Sequence, residues 1–581
     1  MTRAGSRLTW RLAAFIALLT LATIGLITRL AFIQVLEHDR YVEQAQAEHG
    51  DKQEIRSPRG AILDRNGFPL ATSVDAFDVY VDRRAWRADT PARPATAAAS
   101  LAPLLNQPVD QLLATLTDSS KGPIGLVADA IDFETGHDIR ALNLPGIEVV
   151  RATRRFYPEG DIGSALIGFL GRDHSGLAGV EADADNILSG EPGAIYFERD
   201  STGQPIAFGD SRVDPGEPGA DIRLTIDRFI QRLIENDLDQ EIKDHQATGG
   251  SIIVMDPATG AILGMASRPS FRLSQLPLAG TDTALYRNRA VTDLYEPGSV
   301  MKVMTMATGI DSGLVTPGTT YFDSGTVVQG GYKFQNWDFS ANGIQTMSDV
   351  LQKSLNTGAI WVANLLGADR LYPSFKRFGF GDSTHSGMGG ESSGLIRTNA
   401  DPNWYSADLA SNSFGQGIAA TPLQVITAFS AVINGGNLMR PYLIKETDGA
   451  AGRRNFDPVV ARRVISPASS ETMVKMLNYV VDGNPVHAAH VKGYHVGGKT
   501  GTTLVSIPTG YALDSTIATF VGFAPLDHPA FIMLVKIDQP KDDPLGGIVA
   551  APVFGKLAPR ILSYLNVPPG GPVGPLVRTA P

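Results

Sequence analysis

The sequence predicts an α+β protein in which one N-terminal membrane helix precedes two domains. A long apolar run near the N-terminus is the first observation that predicts it. The second is the turn-rich stretch PGEPGAD at residues 215–221, which divides the remaining chain. The third is the pattern of the second half, where strand-like segments stand at both ends and helical spacing lies between them. Such a pattern predicts an antiparallel sheet assembled from distant parts of the chain and flanked by helices.

The N-terminal segment has the composition of an uncleaved, single-pass membrane anchor. Residues 12–33 are mostly apolar, and three arginines lie in residues 1–11. A bilayer core requires about 20 apolar residues in a helix, and Arg29 is close enough to the end of the run to reach the headgroups. A cleaved signal peptide would have a shorter apolar core and a small-x-small site, which residues 30–35 lack. Because positive charge stays inside, residues 1–11 are predicted to be cytoplasmic and the chain after the anchor exported.

The first exported domain carries strand and helix signals. Arg59 to Ser73 indicates two strands around an Asn66-Gly67 turn, and residues 91–118 have a helical composition. The predicted boundaries are residues 34–220 for this domain, 221–566 for the second domain and 567–581 for a proline- and glycine-rich tail without fixed structure.

The second domain begins with a strand, a helix and a hairpin. The hairpin is predicted where Ser251–Met255 and Ala261–Ala266 flank the turn sequence PATG at residues 257–260. The other predicted elements are a strand at Ile222–Ile226, helices at Phe229–Ile242 and Val300–Ile310, strands at Ile517–Phe523 and Ala530–Ile537, and a closing helix at Pro552–Leu565.

Composition excludes several classes of protein. The chain has 581 residues, a net charge of −10 and no long basic block, so nucleic acid is not an expected partner. It contains no cysteine, which removes disulfides, thiolate catalysis and cysteine zinc sites. The sequence also lacks H-E-x-x-H and the phosphate-binding G-x-x-x-x-G-K-[ST] motif. No metal or cofactor is therefore predicted.

Three short motifs in the second domain could carry chemistry. They are the S-x-x-K of Ser299 and Lys302, the S-x-N of Ser354 and Asn356, and the K-T-G at residues 499–501. Each is weak alone, because such residues also cap helices or end strands, and a second S-x-N occurs at residues 340–342. Their order and their flanking sequences together favour a catalytic interpretation.

The S-x-x-K spacing suits an activated serine. Residues three apart lie on the same side of a helix, so Lys302 is expected within hydrogen-bond reach of the Ser299 hydroxyl. Pro297-Gly298 supplies a turn before the helix, where free backbone N–H groups favour developing negative charge. A serine is a poor nucleophile until a base takes its proton, and lysine is such a base only when burial and neighbouring cations lower its pKa.

The K-T-G segment suits a substrate-binding edge strand. Lys499 on a strand opposite the serine would help to lower the pKa of Lys302 and would attract a substrate carboxylate. The hydroxyls of Thr500 and Thr502 are expected to complete that carboxylate site. Gly501 has no side chain, which lets a substrate backbone lie against the strand.

Together these motifs resemble the signature set of the penicillin-binding protein and serine β-lactamase superfamily. The chain resembles the class B penicillin-binding proteins in particular, and the resemblance covers nearly the whole chain after the anchor. The YEPGS segment before the serine is more like that of the division-specific (septal) branch. Val300-Met301 departs from the more usual residues between the serine and the lysine, and Leu355 occupies the variable middle of S-x-N. The segments that carry the resemblance are residues 295–299 (YEPGS), 256–260 (DPATG), 414–417 (FGQG) with 421–422 (TP), 521–525 (VGFAP), 59–60 (RG), 64–67 (DRNG), 157–160 (YPEG) and 179–181 (GVE).

The resemblance implies a penicillin-sensitive D,D-transpeptidase that cross-links peptidoglycan during septal cell-wall synthesis. It implies an elongated α+β pedestal, or dimerisation-like, domain and then a transpeptidase domain outside the bacterial cytoplasmic (inner) membrane. Ser299 would attack a D-Ala-D-Ala stem peptide and Lys302 would take its proton. Ser354 would protonate the departing D-alanine with help from Lys499, and Asn356 would hold the donor amide. The implied partners are peptidoglycan stem peptides, β-lactams, a membrane glycan polymerase of the shape and division type, and other division proteins, with no cofactor.

Four alternatives remain open. An elongation-specific transpeptidase of the same class would have the same chemistry. A β-lactamase would need a glutamate that holds a deacylating water, and no E-x-x-L-N lies between Ser354 and Lys499. A bifunctional synthase is disfavoured because the first domain carries the pedestal signatures. A penicillin-binding scaffold or sensor would tolerate loss of Ser299 or Lys302, and both are present.

Overall fold

The computed structural model describes most of the chain, in two compact units. One unit comprises residues 1–58 and 190–218, and the other comprises residues 59–189 and 219–581. The described residues are 5–38, 40–41, 50–55, 57–86, 92–122, 124–171, 173–198, 211–214, 216–275, 282–484, 486–508 and 510–570. Most of the tail predicted at 567–581, and the first four residues of the predicted cytoplasmic segment, lie outside these ranges.

The smaller unit contains the N-terminal helix and a small antiparallel sheet. The helix spans Gly5–Ala31 and continues as a π-helical turn, Phe32–Leu36. The stretch Trp10–Leu36 contains an 18-residue window with a mean hydropathy of 2.1 and no buried residue, so its length and composition fit the predicted membrane anchor. Three threonine hydroxyls within it donate to backbone carbonyls four residues earlier, which satisfies them inside a bilayer. The sheet consists of Gly50–Ile55, Gly193–Glu198 and Ser211–Asp214.

The first part of the larger unit packs helices against long strands. The predicted helical stretch 91–118 forms two helices, Ala92–Leu105 and Val109–Thr117. The first helix ends at Leu105, before Pro108, which has no N–H for a helical hydrogen bond. Pro108 directly precedes the second helix. Their apolar faces bury Leu101, Leu112 and Leu116 against Val79 and Val81 of the neighbouring strand.

A seven-stranded sheet joins this part to the second domain. Its strands are antiparallel except that Ile62–Leu63 and Asp221–Leu224 run parallel. The order is Gly452–Asn455, Ile444–Gly449, Asp221–Leu224, Ile62–Leu63, Pro69–Asp82 and Ile124–Asp132, and Ile147–Phe156 also pairs with Pro69–Asp82.

A buried charge cluster links two of the sequence signatures of the first domain. The Glu181 side chain has no exposed surface, and its two carboxylate oxygens accept hydrogen bonds from Arg59 at 2.7 Å and Arg155 at 2.6 Å. Arg59 also donates to the Glu181 carbonyl at 2.8 Å. Because a buried carboxylate is tolerated when it is paired and hydrogen-bonded, the RG and GVE segments depend on each other.

The second domain is built on a five-stranded antiparallel sheet, as predicted. Its strand order is Ile262–Arg268, Gly249–Met255, Phe531–Asp538, Gly510–Ala524 and Gly497–Ile507. The predicted hairpin around residues 257–260 therefore pairs with strands from the end of the domain. The K-T-G strand is at the edge of the sheet, where one of its sides remains unpaired.

Both faces of this sheet are covered by helices. Successive residues point to opposite faces, so Ile253 and Leu534 pack with the helix that carries Lys302, while Ile252 and Val535 pack with the N- and C-terminal helices of the domain. The helices of the larger unit not yet given are Phe133–Ala141, Ser164–Ile167, Gly179–Asp183, Asp185–Leu188, Arg228–Asp244, Arg289–Thr292, Lys302–Asp311, Met347–Gln352, Asn356–Leu366, Ala368–Arg377, Ser406–Ser413, Pro422–Ile433, Pro467–Val481, Gly546–Val549 and Ala551–Tyr564.

Four short two-stranded antiparallel sheets complete the described part of this three-layered domain. They are Thr320–Asp323 with Gly343–Thr346, Thr326–Gln329 with Tyr332–Gln335, Leu395–Ile396 with Ile418–Ala419, and Asn437–Met439 with Val460–Arg463.

Candidate active site

The turn that carries Ser299 is held between the edge strand and the loop at residues 414–417. Gly298 has a φ of +57°, in the left-handed region that glycine adopts without strain. A Cβ atom at Gly298 would lie 2.9 Å from the Thr503 hydroxyl, so the strand also excludes a side chain there. The Gly298 N–H donates to the Gly415 carbonyl at 3.1 Å. The position of Ser299 therefore depends on two segments distant in sequence.

Ser299 and Lys302 are brought together by a 3₁₀ turn rather than by the α-helix. The turn spans Gly298–Met301, and the α-helix begins at Lys302. Side chains three apart align closely in a 3₁₀ turn, and Lys302 Nζ lies 3.0 Å from Ser299 Oγ. The predicted contact is therefore present, although the helix starts three residues later than Ser299.

Ser354 lies between the two lysines of the site. Its Oγ is 3.2 Å from Lys302 Nζ and 3.0 Å from Lys499 Nζ. Lys302 also donates to the Ser354 carbonyl at 2.5 Å. Ser354 has a φ of +58°, a left-handed conformation that is unfavourable for serine. A strained residue that bridges two amines at the end of a helix is typical of a functional position.

Burial changes the protonation of both amines. The side chains of Lys302 and Lys499 are about 1% exposed. Burial, followed by repulsion from Lys499, lowers the pKa of Lys302 well below its ordinary value. Burial lowers the pKa of Lys499 to about 7. Among the described residues, both amines contact only hydroxyl and carbonyl oxygens. The lowered pKa favours the neutral form of Lys302, which can accept the Ser299 proton, and a partly charged Lys499 favours an incoming anion.

The K-T-G strand contributes Lys499 and approaches the nucleophile turn closely. Lys499 Nζ contacts the Thr500 carbonyl at 3.2 Å and the Thr500 hydroxyl at 3.3 Å. A Cβ atom at Gly501 would lie 2.9 Å from the Pro297 carbonyl and 3.1 Å from Val300. The sequence predicted that Gly501 lets a substrate backbone lie against the strand. In the structure, its missing side chain also makes room for the nucleophile turn.

Two predicted polar groups have protein partners in the structure. The Thr502 hydroxyl accepts a hydrogen bond from the Gly546 N–H at 3.0 Å and keeps its own proton available for donation. Asn356 Nδ2 donates to the Gln335 carbonyl at 2.7 Å, which fixes the orientation of the amide. The amide oxygen of Asn356 and its second N–H have no hydrogen bond to another described residue and can contact a ligand.

Asp323 is an organising residue that the sequence gave no signal for. Its side chain is fully buried, and its carboxylate accepts hydrogen bonds from Asn336, Asn342, Thr357 and the Gly325 N–H. Burial alone would raise its pKa, but these hydrogen bonds together lower it. Thr357 directly follows Asn356, so Asp323 joins the loop at residues 336–342 to the S-x-N motif.

Glu296 is a second organising residue, within the YEPGS segment. Its carboxylate accepts hydrogen bonds from the Gly417 N–H at 3.0 Å and from the Tyr511 hydroxyl at 3.0 Å. Its carbonyl accepts one from Thr503 at 2.8 Å. Burial raises the pKa of Glu296 despite these donors. The YEPGS segment that contains Glu296 was recognised from sequence. Its hydrogen-bond partner Tyr511 is 215 residues away and could not be predicted.

Comparison with known protein families identifies the family to which this chain belongs. The family described as "Penicillin binding protein transpeptidase domain" matches residues 250–558. That described as "Penicillin-binding Protein dimerisation domain" matches residues 54–224. The chain belongs to the penicillin-binding protein family. The predicted family resemblance is thus confirmed, and all three motifs of this penicillin-binding protein lie within the transpeptidase match.

Relatives resemble this penicillin-binding protein along almost its whole length. It is 32% identical to "Peptidoglycan D,D-transpeptidase FtsI" of Escherichia coli K12 over 565 residues, covering 97% of this chain and 93% of that protein. It is 33% identical to "Stage V sporulation protein D" of Bacillus subtilis over 551 residues, covering 93% of this chain and 84% of that protein.

Solved structures share its fold. Penicillin binding protein 3 from Mycobacterium tuberculosis, complexed with aztreonam, superposes with a TM-score of 0.68 at 26% identity, covering 90% of this chain and 99% of that one. Penicillin Binding Protein 2X from Streptococcus thermophilus gives a TM-score of 0.74 at 23% identity over 88% of this chain and 80% of that one. The second likeness concerns the fold alone, and it agrees with the predicted α+β architecture.

Proposed function

We propose that this penicillin-binding protein is a peptidoglycan D,D-transpeptidase that works through an acyl-enzyme on Ser299. One observation carries the proposal: Ser299 Oγ, Lys302 Nζ, Ser354 Oγ and Lys499 Nζ form a continuous chain with steps of 3.0, 3.2 and 3.0 Å. Such a chain can take a proton from a nucleophile and return it to a leaving amine. The name of the relative with 32% identity, "Peptidoglycan D,D-transpeptidase FtsI", agrees with this activity class.

In the first step Ser299 Oγ attacks the carbonyl of the penultimate D-alanine of a stem peptide. The new bond joins Ser299 Oγ to the carbonyl carbon, and the hydroxyl proton moves to Lys302. Lys302 suits this role because burial, followed by repulsion from Lys499, lowers the pKa of its amine well below the ordinary value and so favours the neutral form. Backbone N–H groups of Ser299 and Thr502 stabilise the oxyanion of the tetrahedral intermediate, a contribution that is usually large.

Collapse of this intermediate breaks the bond to the terminal D-alanine. The departing amine takes a proton from Ser354, which recovers one through its contacts with Lys302 and Lys499. Lys499, with a pKa of about 7, is protonated in part at neutral pH and attracts the terminal carboxylate of the substrate. The hydroxyls of Thr500 and Thr502 complete that carboxylate site, and Asn356 holds the donor peptide's amide.

An amine from a neighbouring stem peptide then attacks the acyl-enzyme and forms the cross-link. The same residues return the proton in reverse order, so the enzyme is regenerated without a metal or cofactor. A β-lactam resembles the D-Ala-D-Ala terminus and acylates Ser299, but its ring fragment remains attached and blocks the acceptor. Slow hydrolysis of this adduct accounts for inhibition.

We assign the cell-division septum as the place of action, with the catalytic domain on the outer side of the cytoplasmic membrane. The YEPGS segment and the similarity to FtsI support the septal role, and the N-terminal helix supports a single-pass anchor. A membrane glycan polymerase of the shape and division type supplies the strands. An elongation-specific role along the side wall is the alternative, because the catalytic chemistry is identical.

A cross-linking assay tests the proposal. The full chain in detergent is incubated with glycan strands that already carry pentapeptide stems, so no polymerase is needed. We expect cross-linked stem dimers and one released D-alanine per cross-link, both absent in Ser299→Ala. Release of D-alanine without dimers would instead indicate a carboxypeptidase. Absence of both products from a folded chain that binds penicillin would indicate the scaffold or sensor alternative.

A further inference from the structure

The loop that follows the central strand of the five-stranded sheet reaches the active site at its far end. It spans residues 539–545 and leads into the short helix Gly546–Val549. The Gly546 N–H donates to the Thr502 hydroxyl at 3.0 Å. A Cβ atom at Gly546 would collide with the Gly501 carbonyl, so the backbone here is packed directly against the K-T-G strand. A displacement of this loop would therefore move the hydrogen-bond partner of Thr502.

The near end of the loop is bound to the C-terminus of the helix Arg228–Asp244. The Lys541 N–H donates to the carbonyl of His245, the residue that directly follows this helix, at 2.9 Å. The His245 ring also contacts Asp542, because its Nδ1 lies 2.9 and 2.8 Å from the two carboxylate oxygens. The hydrogen bond from His245 lowers the pKa of Asp542, and an ionised carboxylate can only accept. His245 Nδ1–H is therefore the donor, and one histidine holds two adjacent loop residues.

The other side of the His245 ring faces its own helix. Its Nε2 lies 3.4 Å from a carboxylate oxygen of Glu241, one helical turn earlier. The side chain of His245 is 18% exposed, whereas that of Asp542 is 52% exposed. The histidine is thus the fixed partner of the pair, and Asp542 is held to it from the solvent side.

The composition of the loop makes this side-chain contact important. Pro540 and Pro544 have no N–H, so the backbone at these two positions cannot donate hydrogen bonds that would hold the loop. Thr516 of the neighbouring strand holds the loop through its carbonyl, which accepts from the Gln539 N–H at 2.8 Å, and its hydroxyl, which donates to the Pro544 carbonyl at 3.2 Å. Asp542 lies between these two contacts, where His245 connects the loop to the helix.

We propose that His245 and Asp542 are positioning residues that set the direction of the Thr502 hydroxyl through this loop. The inference rests on the proposed transpeptidase function, which places Thr502 in the site for a substrate carboxylate. Because the Gly546 N–H donates to its oxygen, the Thr502 hydroxyl keeps its own proton for that carboxylate. His245 and Asp542 act on the substrate only through Gly546. Their loss should therefore weaken the recognition of a carboxylate.

Two amide substitutions at His245 test which ring nitrogen matters. The side-chain nitrogen of asparagine can replace Nδ1, whereas that of glutamine replaces Nε2. His245→Asn is therefore expected to keep the contact with Asp542, and His245→Gln is expected to lose it. Asp542→Ala should match His245→Gln. The matched control is His385→Gln, because His385 is 64% exposed and lies beside an aspartate in another loop.

The measured quantity is the preference of the enzyme for a free carboxylate. The full chain in detergent is acylated with a penicillin or with its methyl ester, and intact-protein mass spectrometry gives the second-order rate constant for each. We expect the ratio of the two constants to fall about threefold in His245→Gln and Asp542→Ala, the size expected for a weakened hydrogen bond. The ratio should keep its wild-type value in His245→Asn and His385→Gln. A merely destabilised fold would lower both rate constants and leave their ratio unchanged.

Amide hydrogen exchange tests the connection without any reaction. Peptides covering residues 497–507 and 539–550 should exchange faster in His245→Gln and Asp542→Ala than in the wild type, and His245→Asn should keep the protection. Unchanged exchange in His245→Gln, or an unchanged ratio in a variant that is still acylated, would overturn the positioning role. Absence of acylation in the wild type would refute the proposed function, and the exchange rates alone would then decide whether His245 holds the loop.

Discussion

Replacing Lys499 with methionine should move the acid limb of the acylation pH profile to higher pH. Lys302 must be neutral to accept the Ser299 proton, and a charged Lys499 disfavours a proton on Lys302. The two amines are 3.2 and 3.0 Å from the same oxygen, Ser354 Oγ, so they are at most 6.2 Å apart. At an effective dielectric constant of about 20, this separation corresponds to about 2.7 kcal/mol, or about two pKa units.

The sign of the shift follows from which charge is removed. Lys499 has a pKa of about 7, so it carries its charge at the acidic end of the profile. Without that charge the pKa of Lys302 rises, and a larger fraction of Lys302 is protonated and inactive at each acidic pH. The midpoint of the limb is therefore expected to rise by about two units, in addition to any loss in the maximum rate.

Stopped-flow acylation with a chromogenic penicillin between pH 5 and 10 measures this midpoint. Lys475→Met is the matched control, because Lys475 is 70% exposed, pairs with Glu471 and should leave the profile unchanged. A Lys499→Met profile with a lower plateau but an unmoved midpoint would refute the coupling of the two lysines. It would leave Lys499 only the role of binding the substrate carboxylate.

Three further outcomes are expected. Gly501→Ala should lower the acylation rate more than tenfold, because its Cβ would lie 2.9 Å from the Pro297 carbonyl. Gly547→Ala is the control and should be tolerated, since the nearest contact of its Cβ would be at 3.9 Å. Equal acylation rates for the two variants would contradict the close approach of Gly501 to the nucleophile turn. Asp323→Asn should lower the free energy of unfolding by about 3 kcal/mol, measured by thermal and denaturant unfolding, because it breaks a buried hydrogen-bonded network. Lys302→Met should raise the melting temperature at pH 7, because a lysine whose pKa is lowered in the folded state costs stability at any pH below its unfolded pKa of about 10.4. This gain in melting temperature should shrink as the pH rises towards about 10.4. A gain that does not change with pH would argue against a lowered pKa of Lys302.

Local spacing was sufficient to predict the core of the site. The three-residue separation of Ser299 and Lys302 required them to share one side of a helical turn, and a 3₁₀ turn serves as well as an α-helix. The strand-like segments at both ends of the second domain predicted the sheet, and the edge position assigned to Lys499 agrees with the observed strand order. The turn and the individual strands depend on residues close together in sequence, whose geometry the backbone fixes, whereas the strand order also requires contacts between distant parts of the chain.

Long-range polar contacts could not be predicted. Asp323 organises the site through hydrogen-bond partners spread over residues 325–357. No sequence pattern indicates that an aspartate at the end of a strand has this role. The left-handed conformation of Ser354 likewise depends on packing around it rather than on a turn residue. The contact of Gly501 with the nucleophile turn could not be predicted for the same reason, because that turn is distant in sequence.

Mapping a penicillin adduct tests the central claim most directly. The full chain in detergent is incubated with a fluorescent penicillin, digested and analysed by mass spectrometry, with Ser299→Ala and Ser340→Ala variants alongside. We expect one long-lived adduct on Ser299, lost in Ser299→Ala and kept in Ser340→Ala, whose serine belongs to the second S-x-N. An adduct on another residue, or rapid hydrolysis of the penicillin, would contradict the assignment of Ser299 as a transpeptidase nucleophile.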